Sequence, residues 1–135
     1  MRLYLIAYAG VALAMCALDF VWLAFVAPTF YQAYIGPLLL PQPNLVPALV
    51  FYVLYVVGLV TFCVMPALTA ASWRKAALLG ALFGLVAYGT YDLSNLATLK
   101  GWSIEVTLVD MVWGSLLSAG TCCCGYFWSR FFSRR

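Results

Sequence analysis

The chain has 135 residues, of which 67% are apolar or aromatic and only 8% charged, whereas soluble domains carry roughly a quarter charged residues. That balance excludes an ordinary soluble domain and places the sequence among polytopic membrane proteins, as one small transmembrane domain over residues 1–135. The net charge of +3 does not point to nucleic acid: all seven basic residues fall at or beyond predicted helix ends, while the four acids lie within or beside apolar runs.

The first apolar run, residues 3–27, is long enough to cross the hydrocarbon, which takes about 20 helical residues. A cleaved signal peptide fits poorly. Arg2 is the sole charge before an apolar stretch too long for such a signal, and cleavage after Ala27 would put Phe25 where a small residue is needed. Residues 28–46 form a connector broken by Pro28, Pro37, Pro41 and Pro43, which no continuous span would tolerate. Within it Thr29–Leu40 is expected to be a short interfacial helix, where Tyr31 and Tyr34 are at home. Pro41-Gln42-Pro43-Asn44 should be extended, and Pro47 suits the first turn of the next helix.

The second span is predicted over 47–69, ended by Pro66 and the Trp73-Arg74-Lys75 turn. The third runs over 76–99 and closes at Lys100-Gly101-Trp102. The fourth runs over 104–128 and leads into a tail carrying Arg130, Arg134 and Arg135. The expected fold is therefore all-α with four transmembrane helices. With both termini cytoplasmic, Arg2, Arg74, Lys75, Arg130, Arg134 and Arg135 lie inside and Lys100 alone outside, as the positive-inside rule demands. The connector then lies on the outer side. In a bacterium this would be an inner-membrane protein.

The polar content of the spans is concentrated. Counted at about 1.5 Å per residue from the helix ends, Asp19, Asp92 and Asp110 all reach one level in the outer half of the bilayer. Tyr52 and Tyr55 of the second helix reach it too. A carboxylate at mid-span costs roughly 2.5–3.5 kcal/mol on insertion scales, so each should face protein, water or a ligand. Gly80, Gly84, Tyr88, Asp92 and Asn95 share one face of the third helix, its lower part narrow enough for close approach by a neighbour. Asp19-Phe20-Val21-Trp22 and Asp110-Met111-Val112-Trp113 set an indole beside a carboxyl on two further helices. The expected site is thus Asp92 at the centre, with Asp19, Asp110 and Asn95, lined by Trp22, Tyr52, Tyr55, Tyr88 and Trp113.

Leu18-Asp19-Phe20-Val21-Trp22-Leu23, Pro41-Gln42-Pro43-Asn44, Phe51-Tyr52-Val53-Leu54-Tyr55-Val56-Val57-Gly58-Leu59 and Tyr91-Asp92-Leu93-Ser94-Asn95-Leu96-Ala97-Thr98-Leu99-Lys100-Gly101-Trp102 carry a resemblance. Over roughly residues 1–120 the chain resembles the DUF2177 group of predicted bacterial membrane proteins. Ser94 stands where that pattern has Thr and keeps the hydroxyl. The Cys122–Cys124 triplet and the Arg-rich tail lie outside the pattern. The resemblance implies four helices and assigns no activity.

Three carboxyls close together in a medium of low dielectric cannot all stay ionised without compensation. No Lys or Arg lies at their depth, which leaves protons, a bound cation, or neutral acids hydrogen-bonded to Trp and Tyr. Three functions follow. A carboxyl site lined by aromatic rings suits binding or translocation of a small cationic or proton-coupled solute. The same residues could instead be packing glue in a structural or accessory subunit. The third alternative is a membrane enzyme acting on a lipid, with Asp acid–base chemistry or a hard divalent cation at the Asp cluster. No cofactor is otherwise implied: His is absent, and the five cysteines show no metal spacing. The partners expected are the lipid bilayer and a homo-oligomer or larger membrane complex.

Overall fold

A computed structural model describes residues 1–133; the predicted tail charges Arg134 and Arg135 lie outside the described residues. The elements are helices joined by short connections: α1 (Arg2–Phe25), α2 (Ala27–Ile35) followed by a 3-10 turn (Gly36–Leu38), α3 (Leu45–Thr69), α4 (Trp73–Thr98) and α5 (Ile104–Ser133). Among the described residues there is no strand. Four of the helices, α1, α3, α4 and α5, are long and apolar enough to cross a membrane.

Local chemistry accounts for the boundaries. The α1 helix stops at Phe25 because Pro28 has no N–H and crowds the preceding turn. The chain kinks at Val26, whose N–H still donates to the Trp22 carbonyl, and re-enters a helix at once. The interfacial helix therefore starts and ends earlier than Thr29–Leu40. Asn44 caps α3 by accepting the Val46 N–H at 3.1 Å, so the helix begins just ahead of Pro47. Pro66 does not end it. A π-helical turn over Val60–Val64 widens the backbone just ahead of the proline, and the helix continues to Thr69.

The turn into α4 is a Schellman-type closure. Ser72 N–H donates to the Ala67 carbonyl and Ala71 N–H to that of Leu68, with Ala71 in the left-handed region at φ 51. Ser72 then caps α4 by accepting the Lys75 N–H at 3.3 Å. Arg74 and Lys75 consequently lie in the first helical turn. The α5 helix overruns the predicted 128 because no breaker follows before Ser133.

The α5 helix is the axis of the assembly, packed along its length against α4 and α1. Gly84 sits so close to the Gly114 carbonyl that a Cβ there would overlap it, and a Cβ at Gly80 would lie 2.6 Å from the Ser118 carbonyl. The glycine face of α4 is thus an intramolecular seam. The α3 helix packs on this framework with its lower half: Leu59, Val60, Cys63, Val64 and Ala67 join Ala7, Val11, Met15, Ala76, Leu117 and Cys122 in one core. Towards the connector the α3 and α4 backbones part; Leu45–Leu59 makes almost no close approach to α4.

Candidate functional site

The three aspartates are all withdrawn from the surface, with Asp92 0% exposed, Asp110 5% and Asp19 7%. Their partners differ. The Tyr31 hydroxyl, from α2, donates to Asp110 Oδ1 at 2.6 Å and accepts from Trp22 Nε1 at 3.1 Å. Burial, and then the Asp110 carboxyl beside it, push the Tyr31 phenol well above the usual tyrosine range, so it stays a donor. The Tyr52 hydroxyl donates to Asp19 Oδ2. Asp92 has nothing: neither carboxyl oxygen has a hydrogen-bond partner, and the nearest charge acting on it is the like charge of Asp110.

The register of α1 on α5 sets the spacing. Trp22 and Trp113 stack with ring centroids 4.4 Å apart and planes 12° from parallel. Because the two helices are antiparallel, Asp110 lies one turn to the connector side of this indole pair and Asp19 one turn to the other. Three residues each way amount to about 9 Å along the axis. Asp110 is near enough to Asp92 to act on it electrostatically, while Asp19 pairs with Tyr52. Counting from helix ends places all three in the outer half of the bilayer; the stacked indoles space Asp19 and Asp110 along the α1–α5 contact. Among the described residues no group of three or more His, Cys, Asp or Glu side chains converges to hold a metal ion.

The expected lining residues are distributed over both levels. Tyr88 stands over Gly114, which has no side chain to obstruct the ring, and meets Tyr55 edge-on at 6.4 Å. The Tyr55 hydroxyl pairs with Ser118 Oγ at 2.7 Å, not with a carboxyl. Asn95 is half-buried and engages Tyr91 one turn earlier. Trp113 Nε1 is buried without a partner. The tryptophans therefore do not donate to the aspartates; Trp22 acts through Tyr31.

Two contributors escaped the sequence reading. Ser118 was legible, since Asp110, Gly114 and Ser118 recur every four residues on one face of α5. Tyr31 was not. Its place over Asp110 depends on the kink at Val26, and a Tyr in a proline-broken segment reads first as an interfacial anchor.

Behind Tyr88, where α3 and α4 diverge, a groove of about 390 Å³ opens, lined by Phe51, Ala87, Tyr88 and Tyr91. A second hollow of about 610 Å³ lies under the connector, bordered by Leu23, Tyr31, Leu38–Leu40 and Pro43.

No curated protein and no solved structure matches the chain. A family model described as "Predicted membrane protein (DUF2177)" matches residues 4–127. The chain therefore belongs to the DUF2177 family of predicted membrane proteins.

Proposed function

We propose that this integral membrane protein binds, and by proton exchange translocates, a small cationic solute at the carboxyls of Asp92 and Asp110. The observation that carries this reading is Asp92, fully buried with both oxygens unpartnered. A bare carboxylate in such a place is untenable, because desolvation of an unpaired charge costs several kcal/mol. Its charge must be balanced by a proton or by a bound cation, and the two compete for the same oxygens. Asp19 and Asp110 differ in kind, since each accepts from a tyrosine. They hold the bundle and supply field, while Asp92 is the exchanging group. By the distribution of basic residues the site would open nearer the outer surface, with both termini inside.

The ionisable groups within electrostatic reach of Asp92 include Asp110 from α5, Tyr31 from α2 and Tyr91 of its own helix. None is basic. Adding a small organic cation such as tetramethylammonium to the protein in weakly buffered detergent should release protons, and the apparent affinity should fall as pH is lowered. Asp92→Asn should abolish both effects while leaving the melting temperature near that of the wild type. A protein that releases no proton for any cation of a size series, but melts sharply lower as Asp92→Asn, would establish the aspartates as packing glue instead.

A further inference from the structure

We infer that the protein binds an acidic phospholipid at the end opposite the carboxyls, in the hollow between the start of α1 and the end of α5, with the lipid phosphate on Arg2. This site is remote from Asp92 and independent of the reading given to it. Three observations support it.

The first is the way the hollow is built. It has a volume of about 600 Å³ and is lined by Arg2, Leu5, Ile6 and Ala9 of α1 and by Trp128 and Phe132 of α5. The α1 residues recur at steps of three and four and so share one face. Trp128 forms a wall because α1 makes room for it: Gly10 has no side chain, and a Cβ there would lie 2.6 Å from the indole Cγ. The Phe132 ring leans on that indole, with centroids 4.5 Å apart. From Arg2 at its mouth the trough runs to Ala9, about 10 Å further along the helix. A cation at the mouth and apolar walls below match a headgroup phosphate and the acyl chain beneath it.

The second is an unanswered charge. Arg130, at the same end, donates from Nη1 to the Tyr126 hydroxyl at 3.0 Å, and Arg74 stands 5.8 Å over the Trp73 ring. The Arg2 guanidinium has no hydrogen-bond or ion-pair partner among the described residues. No side-chain carboxyl can supply one: Asp19, Asp92 and Asp110 each lie about 25–28 Å along their helices from this end, and Glu105 is at the other end, in the first turn of α5. A guanidinium takes a phosphate through paired N–H donors. A zwitterionic headgroup would also bring an ammonium group, which finds no carboxyl here to receive it. A headgroup of net negative charge brings none, and so is the better match. The third is depth. Trp128 borders the hollow near the end of its helix, and an indole is at home at the headgroup boundary. The lipid would therefore sit in its ordinary orientation, in the leaflet that the basic residues face.

The experiment places the full chain in nanodiscs of phosphatidylcholine with phosphatidylglycerol as the minor lipid, releases it gently and counts the retained lipids by native mass spectrometry. Wild type should retain phosphatidylglycerol about fivefold beyond the bulk ratio, the preference expected of one basic contact at a membrane surface. Arg2→Gln should erase that preference, and Arg2→Lys should keep part of it. Replacing Arg74 and Lys75 together by Gln, at the same end but off the hollow, should leave it unchanged. Ala9→Trp, at an exposed position, should fill the trough and bring retention of phosphatidylglycerol down to that of phosphatidylcholine. Inorganic phosphate, which has no acyl chain, should not displace the lipid. Arg2→Gln, at an exposed helix end, carries the test should Ala9→Trp fail to fold.

Equal retention of the two lipids by the wild type would overturn the inference, as would a preference that survives Arg2→Gln. Loss of the preference on replacing Arg74 and Lys75, to the same extent as at Arg2, would reduce it to a general attraction of acidic lipid to a basic surface. A preference untouched in folded Ala9→Trp would put the lipid elsewhere on the bundle. Displacement by inorganic phosphate would make the ligand a free anion and not a lipid.

Discussion

The two ends of this bundle are built on different principles. At the end where the chain begins, α1, α3, α4 and α5 meet through Ala7, Val11, Cys63, Val64, Ala67, Ala76 and Cys122, all essentially inaccessible. Small side chains there let backbones come together, which is how helices associate where lipid is as apolar as the core. At the connector end α3 draws away from α4, and the interior there holds tyrosines, tryptophans and three carboxyls. The first region spends its sequence on closeness and the second on chemistry. Stability should reside mainly in the first, and solute recognition in the second.

Substitutions can break or sharpen that division. The largest effect belongs to the α4–α5 seam. Gly84→Val would push into the Gly114 carbonyl and should cost about 3 kcal/mol, read as loss of folded protein in thermal or denaturant unfolding. An effect near zero would mean the seam is not where stability lies. Next, Tyr31→Phe removes the donor to Asp110 and the acceptor for Trp22, and should destabilise by about 1–2 kcal/mol. Tyr52→Phe removes a single bond to Asp19; the expected loss is roughly 0.6 kcal/mol, the average for polar contacts within membranes. A larger loss at Tyr52 than at Gly84 would reverse the comparison. The smallest change is Ala71→Gly. Ala71 holds a left-handed conformation at φ 51, so glycine should raise stability by roughly 0.5–1 kcal/mol without touching solute binding.

Much of the architecture was readable in the sequence. Hydrophobic length gave the four spans, and the four-residue spacing of Gly80 and Gly84 gave the seam they form. The burial of Asp19, Asp92 and Asp110 followed from the cost of exposing a carboxyl to lipid. Their mutual arrangement did not follow. It is fixed by the stacking of Trp22 on Trp113, a contact between residues whose shared Asp-x-x-Trp pattern shows that they are alike and not that they meet. The π turn before Pro66 was likewise hidden, since a proline in a span signals a break more strongly than a detour. Pairing was the least legible layer: which tyrosine serves which carboxyl depends on register and on one kink, and so Tyr31 appeared only in three dimensions.

The account depends on Asp92 being held neutral by a displaceable proton when no cation is bound. Infrared difference spectroscopy of the solute-free protein at neutral pH, comparing wild type with Asp92→Asn, tests this directly. The account predicts a protonated-carboxyl band in the wild type that is missing from the variant and that bleaches when an organic cation is added. A wild-type spectrum with no such band at Asp92, or one that no cation perturbs, would contradict it.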